Sequence, residues 1–395
     1  SSFDVVLMVK LSSPPGLQTD VERSASKLEL FFDLAFVLVV ADLADVLSKD
    51  LTGHGVAVFI GLYLVVWWSW ASPTLYANRF DTDDVVFRVT KLVSMLAVIG
   101  LAGSVSDATG KRVVEFTLCF VLLRLLLFAQ YARAWRSVPD ARPKVRLYLA
   151  GSGTAAALWA VSLAVPAPWR YLLWAAGLAV DVLVPITTTF ARGWVPLHLE
   201  HLPERLGLFV ILVLGESVAA IAHGVHDVQW TGQAVAVGAV SFVLAAGLWW
   251  VAFDLGGGTA KQLLLEASDN GRRIAEDIFF YGHLPITLGL AAVGVGIEHV
   301  ILESAKNEPA QSTRFVLCVG VAVFLASVSL TNNALTGRWA SGWLWPAAAA
   351  LLAAVDAVVS LSALAVVGIL ALLVLVVVVI GIVQEDKGRI HEDQL

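Results

Sequence analysis

Several charged or titratable side chains lie inside apolar stretches of this chain, where they could do chemistry or lock helices together. Glu29, Asp33 and Asp42 fall in Leu28–Asp45, LELFFDLAFVLVVADLAD. Glu216 falls in His198–Ser217, HLEHLPERLGLFVILVLGES, and Arg124, Asp181 and His283 lie in other apolar runs. A charge away from water needs a partner, a proton or a water-filled path. Arginine does not give up its proton in practice, so Arg124 needs a counter-charge. Asp181, at similar depth in its own run, is the simplest candidate, with Glu216 and Asp33 as alternatives. The carboxylates outnumber this one arginine, so some must be protonated or hydrated, which suits proton exchange. Asn78, Asp81, His201, Glu204, Arg205 and Ser217 are polar positions placed to support them.

Helical phase refines the pattern. Glu29 and Asp33 are four apart and share a face. Asp42, nine residues past Asp33, points about half a turn away. Arg205 and Glu216 are nearly in phase and roughly 16 Å apart in height, as the two ends of one polar stripe would be. Pro285 removes a backbone donor two residues after His283, so that helix is expected to kink and line a cavity, unless His283 is simply a core histidine with its hydrogen bonds satisfied. Thr187, Thr188 and Thr189 after Pro185 suggest a second break, unless their hydroxyls bond back to their own helix.

The elements that position these residues follow from composition. Of 395 residues, 58% are hydrophobic and 15% charged, with net charge −6. A soluble domain is about half apolar and a quarter charged. Apolar runs of about 20 residues recur, which predicts an all-α integral membrane protein. A membrane β-barrel would show short alternating segments instead. Spans are placed at roughly 28–47, 54–76, 86–106, 113–135, 146–165, 170–191, 204–223, 233–254, 276–299, 314–335, 339–355 and 361–383. With the N-terminus inside, 19 of the 26 Lys and Arg fall in cytoplasmic segments and six in external ones, and Arg124 lies mid-span. That bias places both termini in the cytoplasm. The division expected is an N-terminal segment 1–27, a six-helix half 28–191, a connecting loop 192–203, a second half 204–383 and a tail 384–395. Glu29 and Glu204, and the pairs Trp67–Trp68 and Trp249–Trp250, sit at comparable places in the two halves, as in a parallel repeat.

Other signals are weaker. Trp67, Trp68 and Trp70, Trp249 and Trp250, and Trp339, Trp343 and Trp345 read as an interfacial aromatic belt. His198, Glu200, His201 and Glu204, or His223 with His226, have metal-ligand spacing, but they flank opposite ends of one span and read as solvated, so no metal is expected. Cys119 and Cys318 read as buried apolar residues. Gly256–Gly258 reads as a turn at a span exit, not a phosphate loop. The final spans lack a lysine for a retinal Schiff base, and no cofactor is expected. Partners to expect are the lipid bilayer and a small-molecule or lipid substrate of unknown identity. A second copy of the chain is allowed, and nucleic acid is not expected.

ELFFDLAFV (Glu29–Val37) and HLPERLGLFVILVLGES (His201–Ser217) resemble the low temperature requirement protein A family, LtrA. So do the WWSW run at Trp67–Trp70, the turn Asn78-Arg79-Phe80-Asp81 and the step His283-Leu284-Pro285. The resemblance implies a polytopic bacterial membrane protein and no particular chemistry. The reading that fits best is a proton-coupled secondary transporter in the cytoplasmic membrane. The alternatives are an intramembrane or lipid-modifying enzyme using carboxylate and histidine acid–base chemistry, and a structural or sensory protein whose ion pairs only hold helices.

Overall fold

A computed structural model describes residues 13–17, 26–189, 201–255, 269–306, 308–336 and 344–392. Twelve helices of thirteen or more residues occur among them: α1 Lys27–Lys49, α2 Gly53–Arg79, α3 Val85–Val105, α4 Val113–Ser137, α5 Arg142–Ser162, α6 Trp169–Thr189, α7 His201–Asp227, α8 Gly232–Trp250, α9 Asp269–Leu302, α10 Gln311–Thr336, α11 Leu344–Asp356 and α12 Ala363–Glu392. Gly16–Leu17 (β1) pairs antiparallel with Phe80–Asp81 (β2) as a two-residue ladder. The twelve expected spans each fall on one of these helices. α12 runs on into the stretch expected as the tail. The connecting loop up to residue 200, most of the N-terminal segment, His198, Glu200, Gly256–Gly258, Trp339 and Trp343 lie outside the described residues.

Local signals set the helix starts. Ser26 and Glu29 form a capping box: the Glu29 Oε2 accepts the Ser26 amide at 2.8 Å, and the Ser26 hydroxyl accepts the Glu29 amide at 3.2 Å. That satisfies donors a helix start otherwise leaves open. Asp84 caps α3 by accepting the Phe87 amide at 2.7 Å. Thr231 caps α8 through the Ala234 amide at 3.3 Å.

Nine of the described helices are long and apolar enough to cross a membrane. The other three are α1, α5 and α11. α1 carries Glu29, Asp33, Asp42 and Asp45. α5 opens with Arg142, Lys144 and Arg146, and α11 has 13 residues. The exposed faces are apolar. Val89, Leu92, Leu96 and Ile99 form one stripe on α3, and Val114, Leu118, Leu122 and Leu125 another on α4. Such stripes would aggregate in water and are the natural contact for lipid tails.

The chain divides into two compact units, Ser1–Val39 with Val65–Leu202, and Val40–Leu64 with Pro203–Leu395. α1 and α2 each contribute one half to each unit. In the first unit α3, α4, α5 and α6 pack consecutively. Trp159 and Trp174 stack at 4.6 Å between ring centroids, and Tyr131 stacks on Tyr148 at 4.7 Å. In the second unit the closest pair is α9 with α10. Gly289 and Gly296 on α9 allow that approach. A Cβ on Gly289 would stand 2.8 Å from the Gly320 carbonyl oxygen, and one on Gly296 2.6 Å from the Leu317 Cα. Small residues let membrane helices meet at backbone distance.

Candidate functional site

In the first unit the buried charges are held by hydrogen bonds from α2. Arg124 of α4 donates through Nη1 to Asp181 of α6 at 2.6 Å and to the Ser72 hydroxyl of α2 at 2.7 Å. The same Asp181 oxygen accepts the Trp68 indole N–H at 2.8 Å. Ser72 in turn donates to the Trp68 carbonyl at 2.8 Å, and the Arg124 guanidinium lies over the Phe120 ring. This pair is the one that depth along the sequence favours, and Asp181 is the partner among the three candidates. Beside it lies a cavity of about 10 Å³ lined in part by Tyr131, Tyr148 and Ser152.

Trp70, two residues after Trp68 on α2, donates to Asp33 Oδ1 at 2.8 Å. Trp67, Trp68 and Trp70 are all buried. This corrects the interfacial reading of that run: an indole N–H in a dry interior needs an acceptor, and the interior carboxylates supply two. Trp249 and Trp250 remain outward-facing.

A third cluster joins the two family-like motifs. His201 at the start of α7 is fully buried, with Nε2 3.4 Å from Glu29 Oε1 and Nδ1 3.3 Å from the Asn78 amide nitrogen. The expectation of a solvated His201 is therefore wrong. Glu29 offers one carboxyl oxygen to the cap of α1 and the other to this imidazole. His223 and His226 are exposed. Among the described residues no three of His, Cys, Asp and Glu converge as metal ligands. The backbone of Asp81 joins β2, and its side chain lies outside the described residues. Arg205 is buried and Glu204 exposed.

Near one end of the same unit Asp84 binds the amide of Ser13 at 2.9 Å and the guanidinium of Arg133. Burial pushes the Asp84 carboxyl up, and the Phe87 and Ser13 amides with Arg133 outweigh that and hold it below the usual carboxylate range. The stabilisation is present above the unfolded value of about 4 and is lost as pH falls through the lower folded value. Asp84→Asn is expected to lower the melting temperature most at neutral pH. Its difference from wild type should vanish in acid, as a melting series against pH will read. A constant difference across that series would contradict the assignment.

The second unit carries a different arrangement. Glu216, half-buried on α7, faces Asp42 and Asp45 from α1, Glu298 from α9, and His223 about two turns further along its own helix. Ser48 of α1 bonds His299 of α9 at 2.9 Å beside them. Ser217 is fully buried, against Gly294 of α9, where a Cβ would stand 3.4 Å from the Ser217 amide nitrogen. Asp45 and Glu298 are partners that were not among the candidates from sequence; Glu298 sits near a helix end, where water is within reach.

His283 lies on an unbroken α9, where its Nδ1 donates to the Phe279 carbonyl at 2.7 Å. α6 likewise continues past Pro185. Thr187 and Thr188 donate to the carbonyls of Val184 and Pro185, so these hydroxyls bond back to their own helix.

Apolar outer stripes, an aromatic interior and enclosed charge define a multi-pass α-helical membrane protein. The chain belongs to the bacterial low temperature requirement A protein family, LtrA, whose model matches residues 24–380. It is also similar to an uncharacterized protein of Rhizobium meliloti (strain 1021), 29% identical over 290 residues that cover 70% of this chain and 69% of that protein.

Proposed function

We propose that the protein is a proton-coupled secondary transporter of the bacterial cytoplasmic membrane. It crosses twelve times, has both termini in the cytoplasm, and is built as six-helix halves 28–191 and 204–383. The observation that carries the transport reading is the setting of Glu216. Asp42, Asp45 and Glu298 all act electrostatically on Glu216, and His223 lies beside it. Carboxyl groups crowded at one place need a proton or a cation among them, which is what proton exchange requires. α7 and α9 are both span-length apolar helices, so that exchange would occur within the bilayer, where a titratable cluster marks an ion path.

The test uses proteoliposomes loaded with a pH-reporting dye and given the small-molecule fraction of bacterial extract. Wild type should acidify or alkalinise the lumen in step with uptake. Glu216→Gln keeps the side-chain shape and should abolish the coupled pH change while preserving folded yield. A variant that matches wild type removes Glu216 from coupling.

Topology is tested separately. The 19-to-6 distribution of basic residues predicts that reporters fused after Asp50 and after Gln384 lie on opposite sides of the membrane. Same-side reporters would overturn the twelve-crossing arrangement.

The first unit supports a second role, a structural one. Arg124, Asp181, Trp68 and Ser72 close on one another in a dry interior, and Asp33 is held by Trp70. These groups act as locks on α2, α4 and α6.

A further inference from the structure

The second unit encloses a cavity of about 90 Å³ apart from the Glu216 cluster. It is lined by the start of α7, the middle of α9, the end of α10, and Ala252 and Phe253 just past α8. Its walls are apolar and aromatic, with Phe253, Phe279 and Ile286 among them. Among the described residues three polar side chains line it: His283, Thr331 and Asn332. The bond from His283 Nδ1 to the Phe279 carbonyl places the ring proton on that nitrogen. Nε2 is left as an acceptor. Asn332 is buried and can both donate and accept. None of the described lining residues carries a formal charge, so an ion held among them would lose its hydration without a counter-charge. A few polar groups converging in an apolar, preformed cavity is the usual form of a small-ligand site.

We propose that this cavity binds a small uncharged molecule that bears an N–H or O–H donor, with His283 as acceptor and Asn332 and Thr331 as its other partners. Size follows from comparison. A cavity of about 150 Å³ holds benzene, with six heavy atoms, so this one holds about four. Primary amides and short alcohols fit both limits. At the ceiling of binding energy per atom, a four-atom ligand binds no tighter than roughly 40 µM.

The probe is acetamide, added to the full-length protein in lipid nanodiscs and followed by saturation-transfer NMR. Acetone has the same shape without a donor, and acetate the same shape with a charge. Acetamide should receive saturation, and acetone and acetate should bind at least about tenfold more weakly. Asn332→Leu should reduce the acetamide signal by a similar factor, and Val328→Trp, which fills the cavity, should abolish it. Where Asn332→Leu does not fold, Thr331→Val serves as the milder variant, with a smaller loss expected. Equal signals from acetamide and acetone overturn the role of His283. Equal signals from acetamide and acetate overturn the uncharged ligand class. An acetamide signal undiminished in Val328→Trp overturns the site. Binding is read without a proton gradient, so failure here leaves the Glu216 reading standing, and failure there leaves this one standing.

Discussion

Arg124→Ala is expected to destabilise the fold by about 3–5 kcal/mol and to remove most of the folded yield in detergent. The guanidinium is enclosed, and its loss leaves Asp181 charged in a dry interior with the Trp68 N–H and no cation. Breaking one side of a buried pair is worse than removing both. The double variant Arg124→Leu with Asp181→Leu should therefore recover much of the lost yield. Arg133→Ala is the control. Arg133 is partly exposed, and Asp84 keeps two backbone amides without it. It should lose far less. Equal yields for Arg124→Ala and Arg133→Ala in the same detergent would show that Arg124 faces water.

Trp70→Ala is expected to cost about 3–5 kcal/mol, as large-to-small changes of core aromatics do. Trp70 is fully buried, and its indole N–H is a donor to Asp33. Trp70→Phe keeps most of the ring and removes only that donor, so a smaller loss of about 1–3 kcal/mol follows. Trp250→Phe, at an exposed position, should change little. Melting temperatures of the three variants should fall in that order. If Trp70→Phe equals Trp250→Phe, the indole–carboxylate bond contributes nothing and Asp33 is held by other groups.

Much of this was legible in the chain. Apolar runs and their charged interruptions located the twelve helices, and depth alone paired Arg124 with Asp181. The phase difference between Asp33 and Asp42 marked two faces of α1. In the structure the two residues fall in different units, which divide α1 along its length after Val39: Asp33 is held by Trp70, and Asp42 acts on Glu216. What was not legible was partnership across distant sequence. A Trp run near a helix end reads as a headgroup anchor unless one knows which carboxylates lie opposite. The indole donors to Asp33 and Asp181 were therefore missed. His201 was misread for a related reason: Pro203 looks like loop punctuation, yet it is tolerated in the first turn of a helix, where no backbone donor is needed. His201 thereby opens α7 beneath Glu29. Glu298 lies near the end of its span, where water is within reach, and Asp45 lies beyond Asp42 on α1; packing among α1, α7 and α9 brings both to Glu216.

The most direct test of the central claim is an infrared titration of the carboxyl groups in lipid, taken as the difference between wild type and Glu216→Gln. The account predicts a protonated-carboxyl band in wild type that changes with pH. In Glu216→Gln that band is lost or displaced, because the variant removes the carboxyl on which Asp42, Asp45 and Glu298 act. Superimposable titrations of the two proteins would contradict proton exchange at Glu216.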